Sequence, residues 1–200
     1  MADEKRPYRM KRRAELEAET RRRITESALA LHGTLGPAYT SISAIAEHAG
    51  VRRSTVYRHF PDEAALFTAC SSHWRAANPA PDLARWQAVE DPAGRLSVAL
   101  AELYAFYGRT ERMLDNLLRD EQTVPTVQET FAAFRAYLAR AGEILLEGRR
   151  LRGRRADAVR AAIGHALSFG TWKSLVREQA LDGDQAVDLM CRLVTAAAER

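Results

Sequence analysis

Two hundred residues, 46% of them hydrophobic, can bury a sizeable core in one or two domains. The chain has no run of 18 apolar residues and opens without an apolar leader, so neither a membrane span nor a secretory signal is expected, and a cytoplasmic protein is. Its formal net charge of +4 is unevenly placed: residues 1–60 hold 12 Lys+Arg against 7 Asp+Glu, whereas residues 61–200 are close to neutral. Only the N-terminal third therefore suits a polyanion.

In chain order, residues 1–19 read as a charged arm, helical from Ala14 onward, with Lys5, Arg6, Arg9, Lys11, Arg12 and Arg13. Such cations can follow a DNA backbone or enter the minor groove. A first helix is expected from Thr20 to Leu35, with Ile24, Ala28, Leu31 and Leu35 on one face. Arg21, Arg22 and Arg23 sit near its start, the wrong dipole end for cations, so helix stability does not explain them.

The most telling stretch is TSISAIAEHAGVRRSTVYRHF, residues 40–60. Thr40 or Ser41 can cap a short helix whose inner face is Ile42, Ile45, Ala46 and Ala49. Gly50 marks a turn that needs a residue tolerant of positive φ. A second short helix keeps Val56 and Phe60 inside and turns Arg52, Arg53, Ser54, Thr55, Tyr57, Arg58 and His59 outward. This is the pattern of a helix-turn-helix, whose second helix lies in the major groove. Arg52 and Arg53 can donate bidentate bonds to guanine O6 and N7, Ser54 can bond several base edges, and Tyr57 can touch a thymine methyl or a phosphate. These four are the candidate base contacts.

That stretch resembles the DNA-binding domain of the TetR family of bacterial transcriptional regulators. The likeness extends upstream through ITESALALHGTLG and downstream through PDEAALFTA. It implies phosphate contacts from Thr40, Thr55, Arg58 and His59. One position departs from the family pattern: Glu63 stands where members often carry a phosphate-binding lysine. Beyond this quarter of the chain the resemblance lies only in length and helical character.

Pro61 and Asp62 open a fourth helix carrying Leu66, Phe67 and Cys70 toward Trp74. Residues 78–86, with two prolines, should form a loop or a short broken helix. Long helices are expected at 91–120 and 126–147, then a basic connector at 149–155, then helices at 156–179 and 185–199. Strand-like alternation is absent, and nine helices are expected. The fold class is all-α. The expected domains are the arm (1–19), the DNA-binding domain (20–66) and a helical ligand-binding and dimerisation domain (67–200).

In that last domain, Tyr104, Tyr107, Met113, Asn116, Phe134, His165, Phe169 and Trp172 are candidate pocket residues, since pockets combine apolar walls with a few polar groups. The plainer reading of each is core. The small residues Ala161, Gly164 and Ser168, with Val187, Met190 and Val194 of the last helix, suit a helix–helix seam, and the resemblance places a two-fold four-helix interface there. The run Arg149, Arg150, Arg152, Arg154 and Arg155 reads as a solvated connector.

No G-x-G-x-x-G, P-loop or G-x-S-x-G occurs, and no His has a Glu three residues before it, as a di-iron bundle would need. Cys70 and Cys191 match no metal spacing and read as reduced buried thiols. No enzyme, metal or cofactor is expected. The resemblance implies a homodimeric repressor that binds a palindromic operator and responds to a small-molecule effector, with ligand binding moving the fourth helix. The alternative is a helical interaction protein that keeps the motif without binding DNA.

Overall fold

Thirty consecutive residues, Lys5–Thr34, form the first helix, α1, in the computed structural model, which describes residues 5–199 and side chains from Tyr8 to Glu199. The arm expected at 1–19 is therefore helical from Lys5, not from Ala14. The reason is local. Lys, Arg, Met, Ala, Glu and Leu are strong helix formers, and Arg13–Glu17 and Arg22–Glu26 pair at i,i+4 at 3.2 and 2.8 Å. The side chains of Lys5 and Arg6 lie outside the described residues.

Nine more α-helices follow among the described residues: α2 (Ile42–His48), α3 (Arg53–His59), α4 (Glu63–Ala77), α5 (Leu83–Gln87), α6 (Pro92–Asp120), α7 (Pro125–Leu146), α8 (Arg154–Ala166), α9 (Phe169–Lys173) and α10 (Gly183–Glu199). No strand occurs among them. None of these helices is long and apolar enough to cross a membrane.

The chain divides into two units, and the division does not follow chain order. The first unit gathers residues up to Ala77 with Arg112–Thr130. In it α1 packs on α2 and α4, burying Ile24, Ala28, Ile42, Ile45, Leu66 and Phe67. Leu114, Leu117 and Val127, from the end of α6 and the start of α7, complete this core. A boundary at residue 66 would cut through α4, which is continuous to Ala77.

The second unit comprises Asn78–Glu111 and Phe131–Arg200. Trp86, Leu96, Leu100, Leu103, Ile144, Leu145 and Ile163 are its largest enclosed aliphatic and indole side chains. Arg95 is also buried, and its guanidinium donates to the carbonyls of Val89, Ile144 and Glu147 at 2.9–3.0 Å. Arg149 acts similarly at the end of α7, donating to Leu145 O and to Pro92 O at 2.9 and 2.7 Å. These cations satisfy carbonyls at a helix C-terminus, where the dipole favours them. Arg149 is thus half-buried and structural, unlike the rest of the expected solvated connector.

The helix expected over 156–179 is broken at Leu167 and Ser168. Ser168 is extended and its hydroxyl accepts the Gly170 N–H at 3.2 Å, starting α9. The break frees two carbonyls, and two phenols one turn apart on α6 take them. Tyr104 donates to Ala166 O at 2.9 Å and Tyr107 to Leu167 O at 2.6 Å. A π-helical turn, Ser174–Glu178, then closes on Ala180, whose φ of 58° is left-handed.

The expected seam needs correction. Val187, Met190 and Val194 are buried inside the single chain, because α10 lays that face against α8. The apolar face of the last helix already has its partner, so it is not free for a second copy. Ala161 and Gly164 remain exposed on the outer side of α8, and Ser168 is half-buried as the α9 cap. Leu193 is 42% exposed on α10.

Candidate nucleic-acid interface

Ser41 is the cap of α2: its hydroxyl accepts the Ala44 N–H at 3.1 Å. Thr40 donates its own hydroxyl to Gly36 O at 2.7 Å. Its one proton is therefore committed, and a phosphate bond from Thr40 requires breaking that hydrogen bond. Gly50 has φ 62° and the turn closes with Val51 N–H bonding Ala46 O at 2.9 Å. Nothing lies within 4 Å of a Cβ placed on Gly50, so backbone conformation alone selects glycine there.

This turn sets α3 against the core through Val56 and Phe60, which are 0% and 1% exposed. Everything else on the helix faces outward or sideways. Arg52 is extended at the N-cap position without a side-chain cap bond. Arg52, Arg53, Ser54, Tyr57 and Arg58 are exposed, and Thr55 and His59 are half-buried. Arg53 and Tyr57, one turn apart, form a pair: the guanidinium donates to the phenol at 3.3 Å and sits 5.6 Å from the ring centroid. That bond raises the already high Arg53 pKa further. A fixed cation with five donors beside an aromatic hydroxyl is a preorganised reader of guanine and phosphate.

His59 is less available. Its Nε2 is buried without a hydrogen-bond partner among the described residues. Burial, followed by the nearby Arg58 and Arg21 charges, lowers its pKa, so it is neutral at physiological pH. A phosphate bond from His59 falls to Nδ1 or requires the ring to turn.

Two supports hold this surface, and neither is visible in the sequence pattern. Arg21 of α1 donates to the His59 carbonyl and stacks over Phe60, 4.1 Å from the ring centroid. It caps α3 from behind, which explains a cation at that place in α1. The second support is a clasp at the end of α6. Asn116 donates its amide to His32 O and Gly33 O, both at 3.0 Å. Arg119 donates to Leu35 O at 2.8 Å and to Asp120 at 2.7 Å, and Asp120 accepts the Ala38 N–H at 3.0 Å. Burial alone would raise the Asp120 carboxyl, but the Arg119 guanidinium and the Ala38 N–H together hold it below its usual range. Gly36, at φ 97°, is required here: a Cβ would collide with the Arg119 guanidinium and meet Asp120 Oδ2 at 2.5 Å. The clasp thus fixes the end of α1 and the 3-10 turn Pro37–Tyr39 that leads into α2.

At the other end of the motif, Asp62 caps α4 by accepting the Ala65 N–H at 2.7 Å. Glu63 takes the first helical position, exposed and acidic at the positive dipole end. It has no cation to offer a phosphate.

The eight expected pocket residues are divided between the two units. Met113 and Asn116 belong to the first unit. Met113 Cε lies beside Gly33, and the Asn116 amide is spent on α1. Tyr104, Tyr107, Phe134, His165, Phe169 and Trp172 belong to the second. Tyr107 packs edge-on to Phe169 and tilted to Trp172, with centroids 5.4 and 6.0 Å apart. Phe106, absent from the expected set, bridges Tyr107 and Phe134. His165 is exposed.

Residues 24–70 match the family model described as bacterial regulatory proteins, tetR family. The fold is similar to a TetR-like transcriptional regulator from Rhodococcus sp. RHA1, at 20% identity over 90% of this chain and 96% of that one, with a TM-score of 0.66. A putative fatty acid metabolism regulator from Clostridium perfringens aligns at 16% identity over 88% and 97%, with a TM-score of 0.61. The transcriptional regulator FadR from Bacillus subtilis, solved in complex with stearoyl-CoA, aligns at 16% over 88% and 96%, with a TM-score of 0.58. A comparison of the sequence with curated proteins gives no match.

Proposed function

We propose that the chain is a TetR-family transcriptional regulator, a ligand-responsive repressor that binds a palindromic operator as a homodimer. The observation that carries this reading is α3 itself. Val56 and Phe60 are sealed inside while Arg52, Arg53, Ser54 and Tyr57 stand exposed, with Arg53 braced on Tyr57. Phosphate contacts from Thr55 and Arg58 set the register, and base contacts from the four others specify sequence. The dimer forms through the outer faces of α8 and α10, around Ala161, Gly164 and Leu193, and this symmetry makes the operator an inverted repeat. The effector is apolar and enters the second unit near Phe106, Phe134 and Trp172. The stearoyl-CoA of the Bacillus subtilis neighbour is consistent with that class of ligand.

The test is protection of DNA flanking the coding region by the purified protein. Arg53→Ala should cost about 1–3 kcal/mol on the protected site and relax discrimination at one position per half-site. Unchanged affinity across a full set of single-base operator variants refutes the assignment of Arg53. Absence of any protected inverted repeat favours an interaction protein instead.

A further inference from the structure

We propose that the exposed N-terminal part of α1 is a second DNA-binding element, which lies along the sugar–phosphate backbone flanking each half-site through Arg9, Arg12 and Arg23. The inference rests on the DNA-binding reading above and extends it to a surface outside the helix-turn-helix.

Four observations carry it. First, the described side chains from Tyr8 to Arg23 are exposed, apart from a half-buried Thr20, and burial starts only at Ile24. At 1.5 Å per residue this is roughly 24 Å of exposed helix, tied to the rest of its unit through Arg21. Second, it is aimed, because α1 is continuous. Ile24 and Ala28 anchor it in the core, and Arg21 ties it to the C-terminal end of α3. The extension therefore has a fixed bearing relative to the reading surface.

Third, its cations are sorted. Arg13 and Arg22 are neutralised within the helix by Glu17, Glu19 and Glu26. Arg9, Lys11, Arg12 and Arg23 have no salt bridge among the described residues. Arg9, Arg12 and Arg23 recur at i, i+3 and i+14, on one face, with Thr20 between them. Fourth, α1 has no acidic residue in its first turn, so no carboxylate there offsets Arg9 and Arg12. Exposed cations without a salt bridge are available to a polyanion. The exposed apolar residues Tyr8, Met10 and Leu16 point in three different directions around the helix, so they do not form the coherent apolar face that a membrane surface needs.

The experiment compares wild-type protein, Arg53→Ala and the combined variant Arg9→Gln/Arg12→Gln/Arg23→Gln. Glutamine keeps helix propensity, and circular dichroism checks that the helix survives. Binding to the protected operator and to a long random-sequence duplex is measured over a salt series. The combined variant should weaken both alike and flatten the dependence of log K on log salt by about 0.9 for each phosphate it no longer neutralises. Trimming the operator flanks should remove its difference from wild type. Arg53→Ala should weaken the operator alone. Equal slopes for wild type and the combined variant, beside a weakened Arg53→Ala, overturn the second element and leave the first intact. If wild type itself binds neither duplex with a measurable salt dependence, the DNA-binding reading itself falls. Capture of anionic phospholipid vesicles by wild type but not by the combined variant, with unchanged DNA slopes, assigns the helix to a membrane and overturns the proposal.

Discussion

His32 makes the scaffold beneath the reading helix sensitive to acid. Its ring is 7% exposed, 5.5 Å from the Phe67 ring, with Nδ1 3.5 Å from the Cys70 sulfur. Burial pushes the imidazole down to about 4, although the Asp120 charge works against the shift. The same burial pushes the Cys70 thiol up to about 12, so both partners are neutral at pH 7. In the unfolded chain an imidazole takes up a proton near pH 6.5, whereas the folded ring does not until about pH 4. The unfolded state thus binds more protons across this window. Stability is fully present above about pH 6.5 and falls as the pH drops toward 4. At about 1.4 kcal/mol per pH unit the loss is on the order of 3 kcal/mol. The assay is urea unfolding at pH 7.0, 5.5 and 4.5, as approximate settings within that window, for wild type and His32→Leu. His32→Leu keeps the volume and removes the proton site, and the contribution of His59 cancels in the comparison. Wild type should lose roughly 2–3 kcal/mol more than the variant across the series. Parallel curves refute the argument that a buried neutral imidazole governs this step.

Three further predictions concern the clasp, the break after α8 and the interface between copies. Asp120→Ala removes the acceptor of the Ala38 N–H and the counter-charge of Arg119, and should cost about 2–3 kcal/mol in chemical unfolding, with operator affinity weakened as the entry to α2 loosens. A loss below about 0.5 kcal/mol would show the clasp to be incidental. Tyr107→Phe leaves the Leu167 carbonyl without its phenol and should lower stability by about 1–3 kcal/mol, read as a fall in thermal midpoint, with helical content unchanged. Gly164→Arg adds a long cation at a position with nothing within 4 Å, so the single chain should fold normally and sediment as a monomer that no longer protects the operator. A stable Gly164→Arg dimer moves the interface elsewhere.

Elements with a strong local pattern were legible in the sequence. The start of α6 at Pro92, the α2–turn–α3 unit and the length of α7 follow from apolar spacing, caps and proline, all of which act within a few residues. The exposure of Arg52, Arg53, Ser54, Tyr57 and Arg58 was legible for the same reason, whereas the half-burial of Thr55 and His59 was not. The break at Leu167 and Ser168 was not, because it depends on Tyr104 and Tyr107 arriving from some 60 residues away to donate to the freed carbonyls. The clasp was illegible too: Asn116, Arg119 and Asp120 look like ordinary polar ends of a helix until their partners at 32–38 are known. The seam went astray because an apolar face on a last helix says that it needs a partner, and not whether that partner lies in the same chain.

The discontinuous make-up of the first unit bears on how the protein emerges from the ribosome. Residues up to Ala77 leave the exit tunnel first, carrying the complete helix-turn-helix. Yet the buried Leu114, Leu117 and Val127, and the carboxylate that anchors Ala38, belong to a segment translated about fifty residues later. At typical elongation rates of about 5–20 residues per second, the nascent reading head waits several seconds with apolar surface uncovered. During that interval it is a client for holding chaperones, and a message truncated before Thr130 yields a chain with the whole motif and an unfinished core. Synthesis that stalls in α6 therefore yields a chain whose helix-turn-helix lacks the side chains that complete its core.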